Sequence, residues 1–300
     1  MLHLAGILVA LSFLTFLLMY LTPGDAATKK LTAQGIAVSE DVLEKTRIEM
    51  GLDRPFFVQY GDWALKTLTG DLGESFKDGT SVSGKLWNGL KHTAVLSAGS
   101  LAISLLISLP LAILTAVKKD SPLDYIVRFF SFVGNSMPNF LISVLLMYFL
   151  CVKAKLLPVV AEENLAGLLL PALALSIPMT SRFIRQFRAE ILEQMGKSYV
   201  SGAVSRGVKK RYILRSVLHN ASLPILTVIG LSIGTLMGGS VVIETIFRWP
   251  GLGKMVMDAI TARDYPVIQA FVLFSAVVYV LINLLTDICY HWADPRVREE

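Results

Sequence analysis

Six long stretches of apolar residues divide the chain, and polar or charged segments separate them. Each stretch comes close to the roughly 20 apolar residues that a helix needs to cross a bilayer core, so each is predicted to be a transmembrane helix. The pattern therefore predicts an all-α, polytopic membrane protein with six transmembrane helices. The predicted spans are Leu4–Leu21, Ala94–Val117, Tyr125–Val152, Leu165–Ser181, Ala221–Ile243 and Val267–Ile288.

The charge of the polar segments predicts the orientation of these helices. Between Arg182 and Arg215 the chain has nine Lys or Arg residues and two Glu residues. Positive charge is retained on the cytoplasmic side during insertion, so a cytoplasmic loop over residues 182–220 is predicted, with both termini on the same side. The predicted division is an N-terminal transmembrane helix (1–22), an extracytoplasmic segment (23–92), a core transmembrane domain of five helices (93–288) and a cytoplasmic tail (289–300).

Polar residues and prolines interrupt the apolar stretches. The third span contains Asn135-Ser136-Met137-Pro138-Asn139, and further prolines at positions 110, 171, 178 and 224 are predicted to interrupt or kink their spans. Such breaks are tolerated in a membrane where neighbouring protein or a polar cavity satisfies the freed backbone groups. The candidates for the wall or gate of a pathway are therefore Asn135, Met137, Asn139, Met237 and Glu244. For Glu244 two interpretations stay open: an external gate or docking surface, and an interfacial acid.

Composition supports a membrane protein. Hydrophobic residues make up 54% of the chain, charged residues 17%, and the mean hydropathy is +0.60. Soluble domains usually have about 25% charged residues. The net charge of +5 is explained by the basic inside loops, so no nucleic-acid partner is predicted. The membrane lipid is itself a predicted partner.

Several kinds of chemistry are not expected from this sequence. The four histidines are scattered and have no metal-ligand spacing, so no metal site is predicted. The segment Gly251-Leu252-Gly253-Lys254-Met255 lacks the Ser or Thr that completes a phosphate-binding loop, so no ATP site or other resident cofactor is predicted on this chain. Acidic residues near the spans, Glu244 and Asp287, lie close to predicted ends, which disfavours an ion-coupled secondary transporter and leaves it as a lower alternative.

Motifs across nearly the whole chain resemble one transporter family. They are LTPGDAA after the first span, GLDRPFFVQYGDWALKTLTGDLGESF in the first polar segment, SMPNF in the third span, and the run GGSVVIETIFRWPGLGKMVMDAITARDYPVIQ followed by NLLTDICYHWADPRVR. In this order they resemble the permease subunits of ABC importers for dipeptides, oligopeptides and nickel. The resemblance implies a type I ABC importer permease fold in a bacterial inner membrane and a chain that is not an enzyme. It also implies partners: a second homologous permease, two subunits that bind ATP, and an extracytoplasmic substrate-binding protein.

The basic loop is similar to the segment that couples these permeases to their ATP-binding subunits. The residues that match are Tyr199, Val200, Ser201, Ala203, Arg206 and Gly207. The sequence departs from the general importer motif, since Ser201 stands where glutamate is usual and Gly202 where alanine is usual. Gly207 suits a tight break between two short helices, because glycine adopts positive φ at little cost.

The cargo is the least determined feature. Within the family, the segments TAQGIAVSEDVLEKTRIEMGLDRPFFVQYGDW, SMPNF, NASLP and DYPVIQ look most like nickel-type members. The resemblance therefore favours import of nickel or a nickel chelate, with dipeptide or oligopeptide import as the alternative. The predicted spans contain Met137, Met179 and Met237 but no histidine, so a chelate is expected rather than a bare ion held by protein ligands.

Overall fold

The computed structural model describes residues 2–21, 25–33, 39–158 and 164–293. Helices make up most of these residues, and their β-type pairing consists of one isolated bridge between Glu74 and Ser81. The predicted all-α class is therefore confirmed. The helices are α1 (Leu2–Leu21), α2 (Ala26–Ala33), α3 (Glu40–Glu49), α4 (Phe56–Leu68), α5 (Val82–Val117), α6 (Pro122–Ser136), α7 (Asn139–Leu146), a π-helix (Met147–Lys153), α8 (Leu165–Met195), α9 (Ser198–Ser205), α10 (Lys210–Gly239), α11 (Val241–Phe247), α12 (Leu252–Ala262) and α13 (Tyr265–Ala293).

Length and composition identify the helices that can cross a membrane. Within the described residues, four helices qualify: α5, α8, α10 and α13. A fifth crossing results if α6 and the α7–π-helix segment, which are bent by 104° relative to each other, form a single broken span. The apolar part of α1, Gly6–Leu21, is shorter than the length that these four helices reach. A multi-pass membrane protein is confirmed, while the count of six crossings stays a prediction.

The predicted break in the third span is present. The helix α6 ends at Ser136, Met137 has an extended backbone with ψ 131°, and α7 begins after Pro138. An extended residue before proline is the expected geometry, since the proline ring disfavours helical backbone there. In contrast, Pro110, Pro171, Pro178 and Pro224 lie inside continuous helices. The four prolines lie in three helices with apolar spans, α5, α8 and α10, and a continuous helix keeps the remaining backbone groups bonded within the segment.

The predicted cytoplasmic loop 182–220 is mostly helical extension. Its first part is the C-terminal half of α8, and its last part is the start of α10. Residues 196–209 form the actual connection and contain α9. The two long helices have 31 and 30 residues, which is more than the ~20 that a bilayer core requires, so their basic ends continue as helix beyond the apolar stretch.

The fifth predicted span, Ala221–Ile243, also differs from the observed helices. Here α10 ends at Gly239, Ser240 caps it, and a separate helix α11 starts at Val241. The apolar run crosses this boundary without a charged residue that would mark it, since Gly239 and Ser240 are small and uncharged. Hydropathy therefore reports one span where the backbone forms two helices.

Contacts divide the chain into two compact units, residues 1–93 with 250–280 and residues 94–249 with 281–300. In the first unit, aromatic side chains join α1 and α4, which lies in the predicted extracytoplasmic segment. Phe13 and Phe16 contact Phe56 and Tyr60 edge-on, with ring centroids 5.4–5.8 Å apart. The Asp264 carboxylate accepts hydrogen bonds from the Ser75 hydroxyl and the Phe76 amide, which fixes the loop before α5.

The second unit has an apolar core between α5, α8 and α10. Phe183 and Phe187 are fully buried and stack with their ring centroids 5.0 Å apart. They pack with Ala112 of α5 and with Val217 and Ala221 of α10. Close packing of the two rings anchors α8 between its neighbours, since van der Waals packing is a main source of association between membrane helices.

Candidate functional site

The connection between α8 and α10 is a short helix, α9, with two different faces. Tyr199 and Val200 are half-buried and pack against the apolar core of the second unit, which contains Phe187 and Val217. The Tyr199 hydroxyl also lies 3.5 Å from Gln194 Oε1 of α8. The opposite face is exposed at Ser201, Val204 and Ser205, and Val204 is 61% exposed. One side of α9 thus packs on the core that the long helices share, and the other side is exposed.

Gly207 ends α9 in the way the sequence predicts. Its φ is +70°, and nothing lies within 4 Å of the position of an added Cβ. The Gly207 amide donates to the Val204 carbonyl and the Val208 amide donates to the Ala203 carbonyl, at 2.9 and 3.1 Å. This pair of bonds is the Schellman ending of a helix, in which the positive-φ position favours glycine. The exposed Arg206 is the residue just before this turn.

A second feature of the same unit is an open cleft of about 220 Å³ beside the break in the third span. Asn135, near the end of α6, and Asn139, at the start of α7, both line it. The facing wall comes from α8 and α10. The lining residues are Asn135, Asn139, Leu175, Pro178, Met179, Arg182, Thr235 and Leu236.

Arg182 is the charged residue among those that line this cleft. It is half-buried, and its Nη2 atom donates to the Ser232 hydroxyl at 3.2 Å. Ser232 is 4% exposed and donates in turn to the Val228 carbonyl at 2.7 Å. The sequence places Arg182 at the start of a cytoplasmic loop, but its partner lies inside the predicted fifth span. Arg182 is therefore inside the helix packing rather than in a loop.

The structure brings together some of the predicted pathway residues and separates others. Asn135 and Asn139 lie in the cleft, whereas Met137, half-buried at the break between them, is absent from its lining. The backbone of Met237 belongs to α10, but its side chain lies outside the described part of the structure. Glu244 is in α11 and is completely buried, with its amide donating to the Ser240 carbonyl.

Six lining residues were not among the predicted pathway candidates: Leu175, Pro178, Met179, Arg182, Thr235 and Leu236. A signal for the four on α8 is present in the spacing. Leu175, Pro178, Met179 and Arg182 follow each other at i, i+3, i+4 and i+7, which places them on one face of a helix. Continuing the apolar helix of the fourth span through Arg182, instead of ending it at Ser181, would have placed this arginine beside the prolines.

Comparisons with known proteins agree with these features. Residues 108–299 match the family described as "Binding-protein-dependent transport system inner membrane component", and residues 1–97 match its N-terminal companion, "Binding-prot-dependent transport system membrane comp, N-term". The chain is 36% identical over 303 residues to the oligopeptide transport system permease protein AppB of Bacillus subtilis, covering 97% of this chain and 95% of that protein. It is 35% identical over 293 residues to the nickel import system permease protein NikB of Staphylococcus aureus, covering 97% and 88%.

The solved structures agree on the fold. An inward-facing conformation of the MetNI methionine ABC transporter aligns with a TM-score of 0.59 at 17% identity, covering 70% of this chain and 96% of the other. The similarity of fold confirms the predicted architecture of an ABC importer permease. In such transporters separate subunits hydrolyse ATP, so this chain is not an enzyme. The chain belongs to the inner-membrane permease components of binding-protein-dependent ABC importers, in the group that contains peptide and nickel permeases.

Proposed function

We propose that this chain forms one half of the translocation pathway of an ATP-driven importer. A second homologous permease would supply the other half, two ATP-binding subunits the energy, and an extracytoplasmic binding protein the cargo. The observation that carries this proposal is the family match, which extends over residues 1–97 and 108–299. The charge pattern supports an orientation with both termini in the cytoplasm, because the basic ends of α8 and α10 then face inward.

The geometry of α9 supports a coupling role for this helix. Its inner face is attached through Tyr199 and Val200 to the core that α8 and α10 share. Its outer face presents Val204 among the exposed residues Ser201 and Ser205. An ATP-binding subunit that contacts this outer face would pull on both long helices at once. Nucleotide binding would then favour one of two packed arrangements through differential contacts, as any such switch requires.

A substitution on the outer face of α9 tests this coupling role. Val204→Glu places a charge on an exposed position and leaves the inner contacts unchanged, so we expect the chain to assemble in the membrane while cargo-stimulated ATP hydrolysis by the complete importer falls. Leu65→Glu in α4, another exposed apolar position at 65%, is the matched control. Equal ATPase stimulation in both variants would exclude α9 as the coupling helix.

We assign the cargo to one of two kinds of small solute, peptides or nickel, which appear in the names of relatives. The sequence favours nickel or a nickel chelate, while relatives named for oligopeptides and for nickel are similar to this chain at almost the same identity. A cationic side chain in the cleft repels a bare divalent cation, and this supports a chelate or a peptide over free nickel. An ion-coupled carrier, the lower alternative from the sequence, has no support in the family match.

Reconstitution into vesicles tests the proposed function directly. The complete importer should accumulate cargo only when ATP is present on the side of the ATP-binding subunits, and an uncoupler should have no effect. Accumulation by vesicles that contain this chain without ATP-binding subunits, abolished by an uncoupler, would show a secondary transporter instead. Competition between radiolabelled nickel complexes and short peptides then identifies the cargo.

A further inference from the structure

The cleft beside the helix break places one positive charge among neutral polar groups. Arg182 lies at the middle of α8, and the buried residues Phe183 and Ile184 follow it directly. In the described part of the chain, no carboxylate lies within ion-pair distance of its guanidinium, and its side-chain hydrogen bond goes to Ser232. A guanidinium has five N–H donors in a planar fork, so most of them remain available to a ligand.

The charge of Arg182 is packed between α8 and α10, where its partner Ser232 belongs to the fifth predicted span. Ionisable side chains between membrane helices are costly, and they are found mainly where they face a cavity and act on a transported solute. The hydroxyl of Ser232 is neutral and already donates to Val228, so it satisfies one donor of Arg182 without balancing its charge. The cleft therefore has an unbalanced positive charge that an anion can neutralise.

The neighbouring groups suit a carboxylate in particular. A guanidinium binds a carboxylate through two parallel hydrogen bonds, a geometry that lysine cannot reproduce. Asn135 and Asn139, whose side chains end in amide groups, line the wall, while the Thr235 hydroxyl beside them already donates to the Ser232 carbonyl at 2.9 Å. The cleft measures about 220 Å³, which is smaller than the ~300–1,000 Å³ of sites that enclose a whole ligand. It can receive one end of a solute.

We propose that Arg182, with Asn135 and Asn139, forms a subsite of the translocation pathway that binds a carboxylate of the cargo. The carboxylate is either the C-terminus of a short peptide or part of an organic chelator around a metal ion. This proposal rests on the proposed function, because it treats the cleft as part of the route of the cargo. It adds a chemical requirement that the family resemblance does not give: the cargo must be anionic at one end.

Matched cargo pairs test this requirement in the complete importer in vesicles. One pair is a tripeptide with a free C-terminus and the same tripeptide as its C-terminal amide. The other pair is nickel with histidine and nickel with histamine, which differs by the loss of the carboxylate. Charge-assisted hydrogen bonds predict that the wild type transports the carboxylate member of the accepted pair about tenfold to a hundredfold better. The pair that shows transport identifies the source of the carboxylate.

Two substitutions then test whether Arg182 is the source of the preference for a carboxylate. Arg182→Gln should reduce uptake of the carboxylate member and bring the ratio of the two uptake rates close to one. Arg182→Lys keeps the charge but loses the fork, so an intermediate ratio is expected. Arg185→Gln, at an exposed arginine one turn further along α8, should keep the wild-type ratio. The ratio of uptake rates within one variant does not depend on how much protein assembles. If Arg182→Gln fails to assemble, the ratio measured with Arg182→Lys still tests the carboxylate subsite.

The outcomes separate the two proposals. If the wild-type importer shows no ATP-dependent uptake of any of the four probes, the proposed function fails. If it transports a probe but treats both members of the pair alike, or if Arg182→Gln retains the wild-type ratio, the carboxylate subsite is wrong while the proposed function stands.

Discussion

Arg188 of α8 donates a hydrogen bond from Nη2 to Oδ2 of Asp124 in α6, over a distance of 2.7 Å. Asp124 is completely buried and Arg188 is 14% exposed, so this ion pair lies inside the second unit. Asp124 Oδ2 also accepts from the Asp120 amide, and Arg128 lies 3.5 Å from Oδ1. The pair ties the start of the bent α6–α7 segment to the helix that contains Arg182.

Breaking this ion pair should destabilise the protein strongly. Asp124→Asn leaves the buried guanidinium of Arg188 without its anion, and loss of one partner from a buried pair costs about 3 kcal/mol of unfolding free energy. Thermal or denaturant unfolding in detergent measures the change. Glu193→Gln is the control. The side chains of Glu193 and its partner Lys197 are 61% and 50% exposed. That exposed pair should contribute less than ~1 kcal/mol. Equal losses for the two variants would contradict the structural role of Asp124.

Gly134 of α6 lies against α8 so closely that an added methyl group meets a side chain. The position of its Cβ is 2.3 Å from Oγ of Ser181, which itself donates to the Ile177 carbonyl. Gly134→Ala should therefore force the serine out of its rotamer and break this bond, at a cost of about 1 kcal/mol in unfolding free energy. The second change Ser181→Ala removes Oγ and leaves contacts of 3.4 Å or more, so the double variant should regain most of the stability. A double variant as unstable as Gly134→Ala would show that the close approach is not the cause.

Two glycines around α9 give a matched pair for backbone conformation. Gly207 has a positive φ of +70°, so Gly207→Ala should cost about 1 kcal/mol of local stability even though the surrounding space is empty. Gly202 lies inside α9, where an added Cβ meets nothing closer than Arg206 Nη1 at 3.8 Å. Gly202→Ala should stabilise this helix by about 0.5–1 kcal/mol.

Hydrogen exchange of the amides in residues 198–208 measures both changes. Faster exchange in Gly207→Ala and slower exchange in Gly202→Ala are expected. The same direction in both variants would contradict the assigned backbone conformations.

Acid should loosen the loop before α5 through Asp78. Burial alone would raise the pKa of Asp78, but hydrogen bonds from Lys85 and Thr80 outweigh it and hold the pKa far below the ordinary value of 3.8. The folded loop therefore binds fewer protons than the unfolded chain. The stabilisation from this carboxylate is complete above about pH 4, and it is lost as the pH falls below 3.8 toward the lower folded pKa.

Limited proteolysis of residues 73–85 between pH 5 and pH 3 tests this dependence. The wild type should become more susceptible as the pH falls, relative to the same protease's activity on an unfolded reference. Asp78→Asn should be susceptible already at pH 5 and change less. A variant with the same pH profile as the wild type would exclude Asp78 as the origin.

Much of the helical architecture follows from local patterns in the sequence. The apolar runs identify the long helices, and the polar pentapeptide Asn135–Asn139 identifies the sharp break between α6 and α7. Gly207 marks the end of the short connecting helix, because the ending needs a positive φ that other residues adopt only at a cost. These features depend on neighbouring residues along the chain, so the sequence contains the information to predict them.

The partners of the charged residues needed the tertiary structure. Arg182 and Ser232 are 50 residues apart in the chain, and Asp124 and Arg188 are 64 apart. Charge counting places both arginines in a cytoplasmic loop, whereas packing of α8 against α6 and α10 turns them inward. A helix has one sequence but several faces, and which face is covered depends on helices that are distant along the chain. The sequence by itself determined which segments are helical and apolar; only the packing decided which charges lie among them.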